Sequence, residues 1–308
     1  MFTAQSQHCV TQPTPPFEIG PALTLQGGAT WRARVHQVPA ARDNLCWLIE
    51  YAPQRVALVD GPSASEVVSY LATHQLTLTH VLNTHTHGDH IGVNRELISR
   101  GLMEGVEVWA SASAPVEVPG LTRALHDGEE LSLGELKGFV WLTEGHLNGH
   151  ISFVWGAHPD ESSPALFCGD TLFTGGCGYV FDGPMSTMAS SLERLASLPP
   201  STWVCCAHEY TLDNLHFALS VEPHNKALRA RAARVSALRE TGGCAVPSRL
   251  SEELESNPFL RATLNTLRPD PSLGSLDERA GERFERVRRL KDSRAYREQP
   301  LSDLLSRG

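Results

Sequence analysis

Thr84-His85-Thr86-His87-Gly88-Asp89-His90 places three imidazoles and a carboxylate within six residues, directly after the apolar pair Val81-Leu82, which reads as a strand end. In extended backbone His85 and His87 point to the same side. Gly88 then lets the chain turn so that Asp89 and His90 approach the same point. Imidazole and carboxylate together suit Zn²⁺, and iron or manganese accept the same set. Without a cation such a cluster would hold polar groups that repel or go unpaired. The segment therefore predicts a metal site.

A chain of 308 residues allows one large domain or two ordinary ones. It has no apolar run long enough for a transmembrane helix, so no membrane association is expected. Met1 to Thr30 lacks the basic and apolar regions of a secretory signal. It is Pro-rich around Thr11-Gln12-Pro13-Thr14-Pro15-Pro16, and residues 1–30 are expected to form a loose arm. Seven scattered cysteines, none in a C-x-x-C pair, point to reduced thiols and a cytoplasmic protein. Adjacent Cys205 and Cys206 read as small core residues. The net charge of −9 conceals an asymmetry: from Lys226 onward 17 basic residues face 12 acidic ones, a local net of +5. Neither aromatic interleaving nor a lysine run accompanies this excess, so it favours a small anionic ligand over nucleic acid.

Between Arg32 and His208 short apolar runs alternate with helical patterns. Leu45–Glu50, Arg55–Asp60, His80–Asn83, Val106–Ala110, Gly138–Leu142, Ile151–Trp155, Ala165–Cys168 and Trp203–Cys206 read as strands of sheets covered on at least one face. Ser63–Thr73 and Ser186–Leu198 read as helices capped by Ser63 and Ser186. After Tyr210 the pattern is helical: 212–220, 225–240, 251–255, 258–264 and 277–290. The expectation is an α/β sandwich over residues 31–209 followed by a smaller helical domain, 210–308.

Three further candidate ligands each follow a strand: His146 between glycines, Asp170 behind Gly169, and His208. With them the count supports two ions. His85, His87 and His146 could hold one, Asp89, His90 and His208 the other, and Asp170 could bridge them. Open positions would remain for water and substrate, as a catalytic site needs. His150 is placed to support a ligand. His36, His74, His80, His126, His158 and His216 read as surface or helix-end residues. The sequence contains neither a G-x-S-x-G elbow nor a phosphate loop.

The T-H-x-H-x-D-H segment resembles the signature of the metallo-β-lactamase superfamily. Gly169-Asp170-Thr171-Leu172-Phe173, Gly176-Cys177-Gly178, His208-Glu209-Tyr210-Thr211, Val221-Glu222-Pro223-His224-Asn225, Asn257-Pro258-Phe259-Leu260-Arg261 and Arg288-Arg289-Leu290-Lys291-Asp292 narrow the resemblance to the glyoxalase II family, from about Val35 to Asp292. That resemblance implies a metallo-β-lactamase-type αββα sandwich with a C-terminal helical domain. It implies two divalent ions, expected to be Zn, with Fe or Mn as options. Asp89 and Asp170 would be catalytic, holding the hydroxide and the ions. The substrate implied is a glutathione thioester bound by Tyr179, Phe181, Tyr210, Arg288 and Lys291, with the last two gripping the glycine carboxylate. The chain departs from the family pattern in four places. Tyr179 stands where a basic residue is common, Leu147 where a threonine is usual, Ala207 for a glycine, and Gly61 where proline is frequent.

The expected reaction is hydrolysis of S-(2-hydroxyacyl)glutathione by a monomer. A one-iron persulfide dioxygenase, a lactonase or β-lactamase type of hydrolase, and a non-catalytic binding module are the alternatives. The complete second ligand set and the helical domain weigh against the first, the Arg288–Lys291 pair against the hydrolases, and the full set of seven ligands against the last.

Overall fold

A computed structural model describes residues 10–24, 28–157, 163–270 and 279–306. The first half of the chain lays down a seven-stranded sheet in sequence order: β1 (Phe17–Thr24), β2 (Thr30–Ala40), β3 (Asn44–Ala52), β4 (Arg55–Val59), β5 (Thr77–Leu82), β6 (Glu107–Ser111) and β7 (Arg123–Leu125). β1 to β4 pair antiparallel through short connections. From β4 the pairing turns parallel, with helices α1 (Ser65–His74) and α2 (Gly88–Ser99) carrying the chain back across the sheet. A second sheet contains β8 (Glu130–Leu133), β9 (Leu136–Leu142), β10 (Ile151–Trp155), β11 (Ala165–Gly169), β14 (Trp203–Cys206) and β15 (Ser248–Arg249). Between β11 and β14 lie a hairpin, β12 (Leu172–Phe173) and β13 (Gly176–Cys177), and helix α3 (Met185–Ala196). The remainder is helical: α4 (Thr211–Val221), α5 (Lys226–Glu240), α6 (Leu250–Ser256), α7 (Pro258–Thr263), α8 (Ala280–Ser293) and α9 (Leu301–Ser306).

The unbroken apolar run in β3 follows from the layering. Leu45, Trp47 and Ile49 join the core shared with the second sheet, where Phe153 and Phe167 lie. Cys46 and Leu48 face the other way, into a cluster with Val67 of α1 and Ile91 and Leu97 of α2. A strand covered on both faces has no place for polar alternation. The result is the expected αββα sandwich with helices added after it.

Several expectations change. The N-terminal stretch is not a loose arm in its described part. Phe17–Thr24 is an edge strand with Ile19 and Leu23 buried, and Thr14 Oγ1 donates to the Val246 carbonyl at 2.7 Å. The prolines mask the apolar residues that seat it. Helix α1 starts at Ser65 with Ala64 at its cap, while Ser63 Oγ instead donates to Glu66 Oε2. Helix α3 starts one residue before Ser186, behind Pro184. Asn225 does cap α5, its side chain accepting from the Leu228 N–H. The helical region is also less separate than its composition suggests, since β15 hydrogen-bonds to β14 and Phe259, Phe284 and Val287 join the sandwich core. His36, expected at the surface, is buried between Glu50 and Tyr70. His158, residues 277 and 278 of the last predicted helix, and Cys9 lie outside the described residues. The other six cysteines are free and buried.

Candidate metal centre

Strand ends deliver every ligand-type side chain to one rim. His85 and His87 occupy the loop after β5, and His87 is the N-cap of α2, so Asp89 and His90 fall in that helix's first turn. The sequence placed Asp89 and His90 after a glycine turn and missed that the turn opens a helix. His146 lies in the loop between β9 and β10, Asp170 follows β11, and His208 follows β14.

The seven residues form two adjoining groups: His85, His87, His146 and Asp170, then Asp89, His90 and His208. In the first, His87 Nδ1 is 3.0 Å from both His85 Nε2 and His146 Nε2, and His146 Nε2 is 3.3 Å from Asp170 Oδ2. In the second, His208 Nε2 is 3.4 Å from Asp89 Oδ2, and His90 Nε2 is 3.8 Å from the same oxygen. Asp170 Oδ1 lies 3.5 Å from both His90 Nε2 and His208 Nε2. Asp170 therefore turns one oxygen to each group.

These spacings fit metal ions. Ligands about 2.0–2.1 Å from a common tetrahedral ion are about 3.3–3.4 Å from one another. Two of the atoms concerned, His90 Nε2 and Asp170 Oδ1, are buried with no hydrogen-bond partner among the described residues. Polar atoms buried this way cost free energy unless something binds them.

A surrounding layer fixes the imidazoles. Asp60 Oδ2 lies 2.9 Å from His90 Nδ1, and its two oxygens also accept from the Thr84 N–H and hydroxyl. Asp43 Oδ1 lies 2.8 Å from His208 Nδ1, and the Tyr179 carbonyl 2.8 Å from His146 Nδ1. Each Nδ1 therefore carries a proton, which leaves each Nε2 facing the site to offer its lone pair when an ion binds. Asn44 Nδ2 donates to Asp89 Oδ2. His150 accepts the Asp170 backbone N–H at Nε2 and meets the Thr143 and Thr171 hydroxyls at Nδ1, the supporting place expected for it. Asp43, Asn44 and Asp60 were not legible as site residues, because their partners lie tens of residues away or more.

Electrostatics divide the two groups. Burial and then the neighbouring imidazoles hold His85 well below the usual histidine range, and burial lowers His146 despite Asp170. Burial also opposes charge on His208, but Asp170, Asp43 and Asp89 outweigh it and push its pKa up to about 10. His90 shifts upward in the same way, Asp170 and Asp60 outweighing burial. Burial acts against the Asp89 carboxylate too, yet His208 and His90 hold it well below the usual carboxylate range.

The residues expected to bind substrate fall into two sets. Phe181 and Tyr179 are exposed at the mouth of the site, the Phe181 ring lying edge-on to His87 at 5.4 Å and His146 at 5.3 Å. Tyr210 stacks parallel to His208 at 4.9 Å. Arg288 and Lys291 are not on a solvated face and do not stand free. Arg288 is buried, bonding Asp292 through Nε and Nη2 and the Cys177 carbonyl through Nη1. Lys291 pairs with Asp213 at 2.8 Å. The nearest separation in sequence that could have announced the second pair is 78 residues.

An αββα sandwich whose strand ends converge on paired His/Asp groups defines the metallo-β-lactamase superfamily, and residues 40–208 match that superfamily. Residues 209–294 match the hydroxyacylglutathione hydrolase C-terminus. The chain belongs to the hydroxyacylglutathione hydrolase (glyoxalase II) family. It is 44% identical over 257 residues to the hydroxyacylglutathione hydrolase of Methylococcus capsulatus, spanning 83% of this chain and 96% of that protein. To the Pseudomonas aeruginosa enzyme of the same name it is 41% identical over 251 residues, 81% of this chain and 92% of that one. Among solved structures, ETHE1 from Myxococcus xanthus shares the fold, with a TM-score of 0.54, 22% identity, and coverage of 89% of this chain and 95% of that chain. No helix of the described residues is long and apolar enough to cross a membrane.

Proposed function

We propose that this protein hydrolyses S-(2-hydroxyacyl)glutathione, such as S-D-lactoylglutathione, to a 2-hydroxy acid and glutathione, acting as a cytoplasmic monomer. The observation that carries the reading is Asp170, one carboxylate presenting an oxygen to each of two ligand groups beneath a C-terminal region of the hydroxyacylglutathione hydrolase type.

His85, His87, His146 and Asp170 would hold one divalent ion, and Asp89, His90, His208 and Asp170 a second, with zinc the first choice and iron or manganese suited to the same donors. Two such ions supply a hydroxide at neutral pH and polarise a carbonyl. The protein's own groups prepare the site for both. Asp43, Asp60 and the Tyr179 carbonyl keep the Nε2 lone pairs aimed inward, and Asn44 orients Asp89. Hydrolysis there would form a C–O bond at the thioester carbonyl carbon and break its C–S bond. Glutathione leaves as a thiolate, stable enough to need no strong general acid. Tyr179 and Phe181 flank the entry, Tyr210 closes the side beside His208, and Arg288 and Lys291 of the substrate-binding region 210–308 would share their charge between their partners Asp292 and Asp213 and the anionic tripeptide. Orientation by groups remote from the carbonyl lowers the barrier at the carbonyl itself.

The test is loss of thioester absorbance from S-D-lactoylglutathione, with the protein loaded in turn with zinc, iron and manganese. Rapid turnover supports the reading. Absence of turnover in protein carrying two ions sinks it.

A further inference from the structure

The Asn257-Pro258-Phe259 segment takes no part in the chemistry above, yet its asparagine is fully buried at the junction of α6 and α7. Asn257 Nδ2 donates to the carbonyls of Phe173 (3.2 Å) and Gly176 (2.9 Å), which flank the turn of the β12–β13 hairpin. Three other side chains from the region after Tyr210 seize the same hairpin. Asn214 Nδ2 of α4 donates to the Thr174 carbonyl, Glu253 Oε2 of α6 accepts the Gly175 N–H, and Arg288 Nη1 of α8 donates to the Cys177 carbonyl. Glu253 is itself fully buried, held by Arg231 and Ser248. Five consecutive residues, Phe173 to Cys177, are thus bound through their backbones by four helical-region side chains.

The next two residues touch the metal centre. Gly178 lies so close that a Cβ there would sit 1.9 Å from the Asp170 carbonyl oxygen and 3.0 Å from His146 Nδ1. Tyr179 supplies the carbonyl that orients His146. Hairpin and ligand-type side chains are therefore in direct contact.

We infer that the helical region positions the metal ligands His146 and Asp170 through this hairpin, with Asn257 and Asn214 as positioning residues. Its role then extends beyond binding substrate. The inference rests on the reading of His146 and Asp170 as ligands and does not depend on the substrate. Loss of a group that orients a ligand typically costs 10–100-fold in metal affinity or activity, whereas a purely structural contact lowers stability alone.

Two variants test it. Asn257→Ser keeps a side-chain oxygen to cap α7 but loses both bonds donated to the hairpin, along with the one that Nδ2 donates to Glu253 Oε2. Asn214→Ala removes the α4 bond within a helix that alanine favours. For each, zinc affinity is measured by competition with a chromophoric chelator, the visible spectrum is recorded after cobalt substitution, and melting of the metal-free protein is followed by circular dichroism. The expected result is zinc binding weakened about tenfold or more, an altered cobalt spectrum, and a fall in kcat that exceeds any rise in KM. Folded variants with wild-type zinc affinity and cobalt spectrum overturn the inference, whatever happens to KM. If the parent protein fails to hydrolyse the thioester, the zinc and cobalt measurements still decide the point.

Discussion

Replacing Asp60 by asparagine isolates the contribution of a residue that binds no ion itself. Asp60 is buried and its backbone has φ +55°, a left-handed conformation that asparagine tolerates better than most residues. Asp60→Asn therefore leaves the backbone nearly unstrained. The amide oxygen can still accept the Thr84 N–H, now at 2.9 Å, and the Thr84 hydroxyl can rotate to accept from the new NH₂. What cannot be recovered is the 2.9 Å contact with His90 Nδ1, because an amide donor would face an N–H donor. The imidazole relieves the clash by moving its proton to Nε2, the atom that faces Asp170 and Asp89. A metal ion must then displace that proton and restore the donor–donor clash. A hydrogen bond to a charged acceptor is worth about 1.5–3 kcal/mol, and loss of an orienting partner lowers metal affinity about 10–100-fold. The two ranges agree, since about 1.4 kcal/mol is one factor of ten. Titration of the metal-free variant with zinc should show one ion bound normally and the second bound 10–100-fold more weakly. Turnover should be restored by raised zinc, and the circular dichroism spectrum should match the parent. Normal affinity at both positions would refute the argument that Asp60 sets the His90 tautomer.

Three other outcomes follow from the same structure. Burial pulls the Lys291 pKa down to about 8 against the opposing pull of Asp213, so its positive charge disappears as pH rises through that value. The KM for an anionic thioester should climb above pH 8, and Lys291→Arg, charged throughout, should flatten that arm of the pH–KM profile. Gly178→Ala forces a methyl group against the Asp170 carbonyl. It should cost about 1–3 kcal/mol of stability in chemical denaturation and lower zinc occupancy, while the same change at the open position Gly88 leaves occupancy intact. Leu58→Ala empties a fully buried place beneath α1 and α2. It should cost about 2–5 kcal/mol in the same denaturation assay, and a loss under 1 kcal/mol would contradict the close packing assigned to that layer.

Local features were legible in the sequence. His85, His87, Asp89 and His90 are ligand-type side chains from one short segment, and their spacing carries the geometry with it. The buried strands could be read because a strand covered on both faces must be largely apolar, as β3 is from Leu45 to Ile49. His146, Asp170 and His208 were recognisable because each sits one to four residues beyond such a run. Only tertiary structure decided the rest. Asp43 meets His208 across 165 residues and Asp60 meets His90 across 30, and a carboxylate beside a turn carries no mark of so distant a partner. The Tyr179 carbonyl that orients His146 is a backbone group, present at every residue and so invisible as a type. The N-terminal prolines signalled a loose arm because edge-strand pairing is decided by the neighbour, β2, and not by the segment alone. The burial and pairing of Arg288 and Lys291 could not be read because a charge is local, while its partners depend on where the fold brings Cys177 and Asp213. Composition and spacing determined which chemistry this chain could support, whereas the orientation of each ligand came from contacts made only when distant strand ends met.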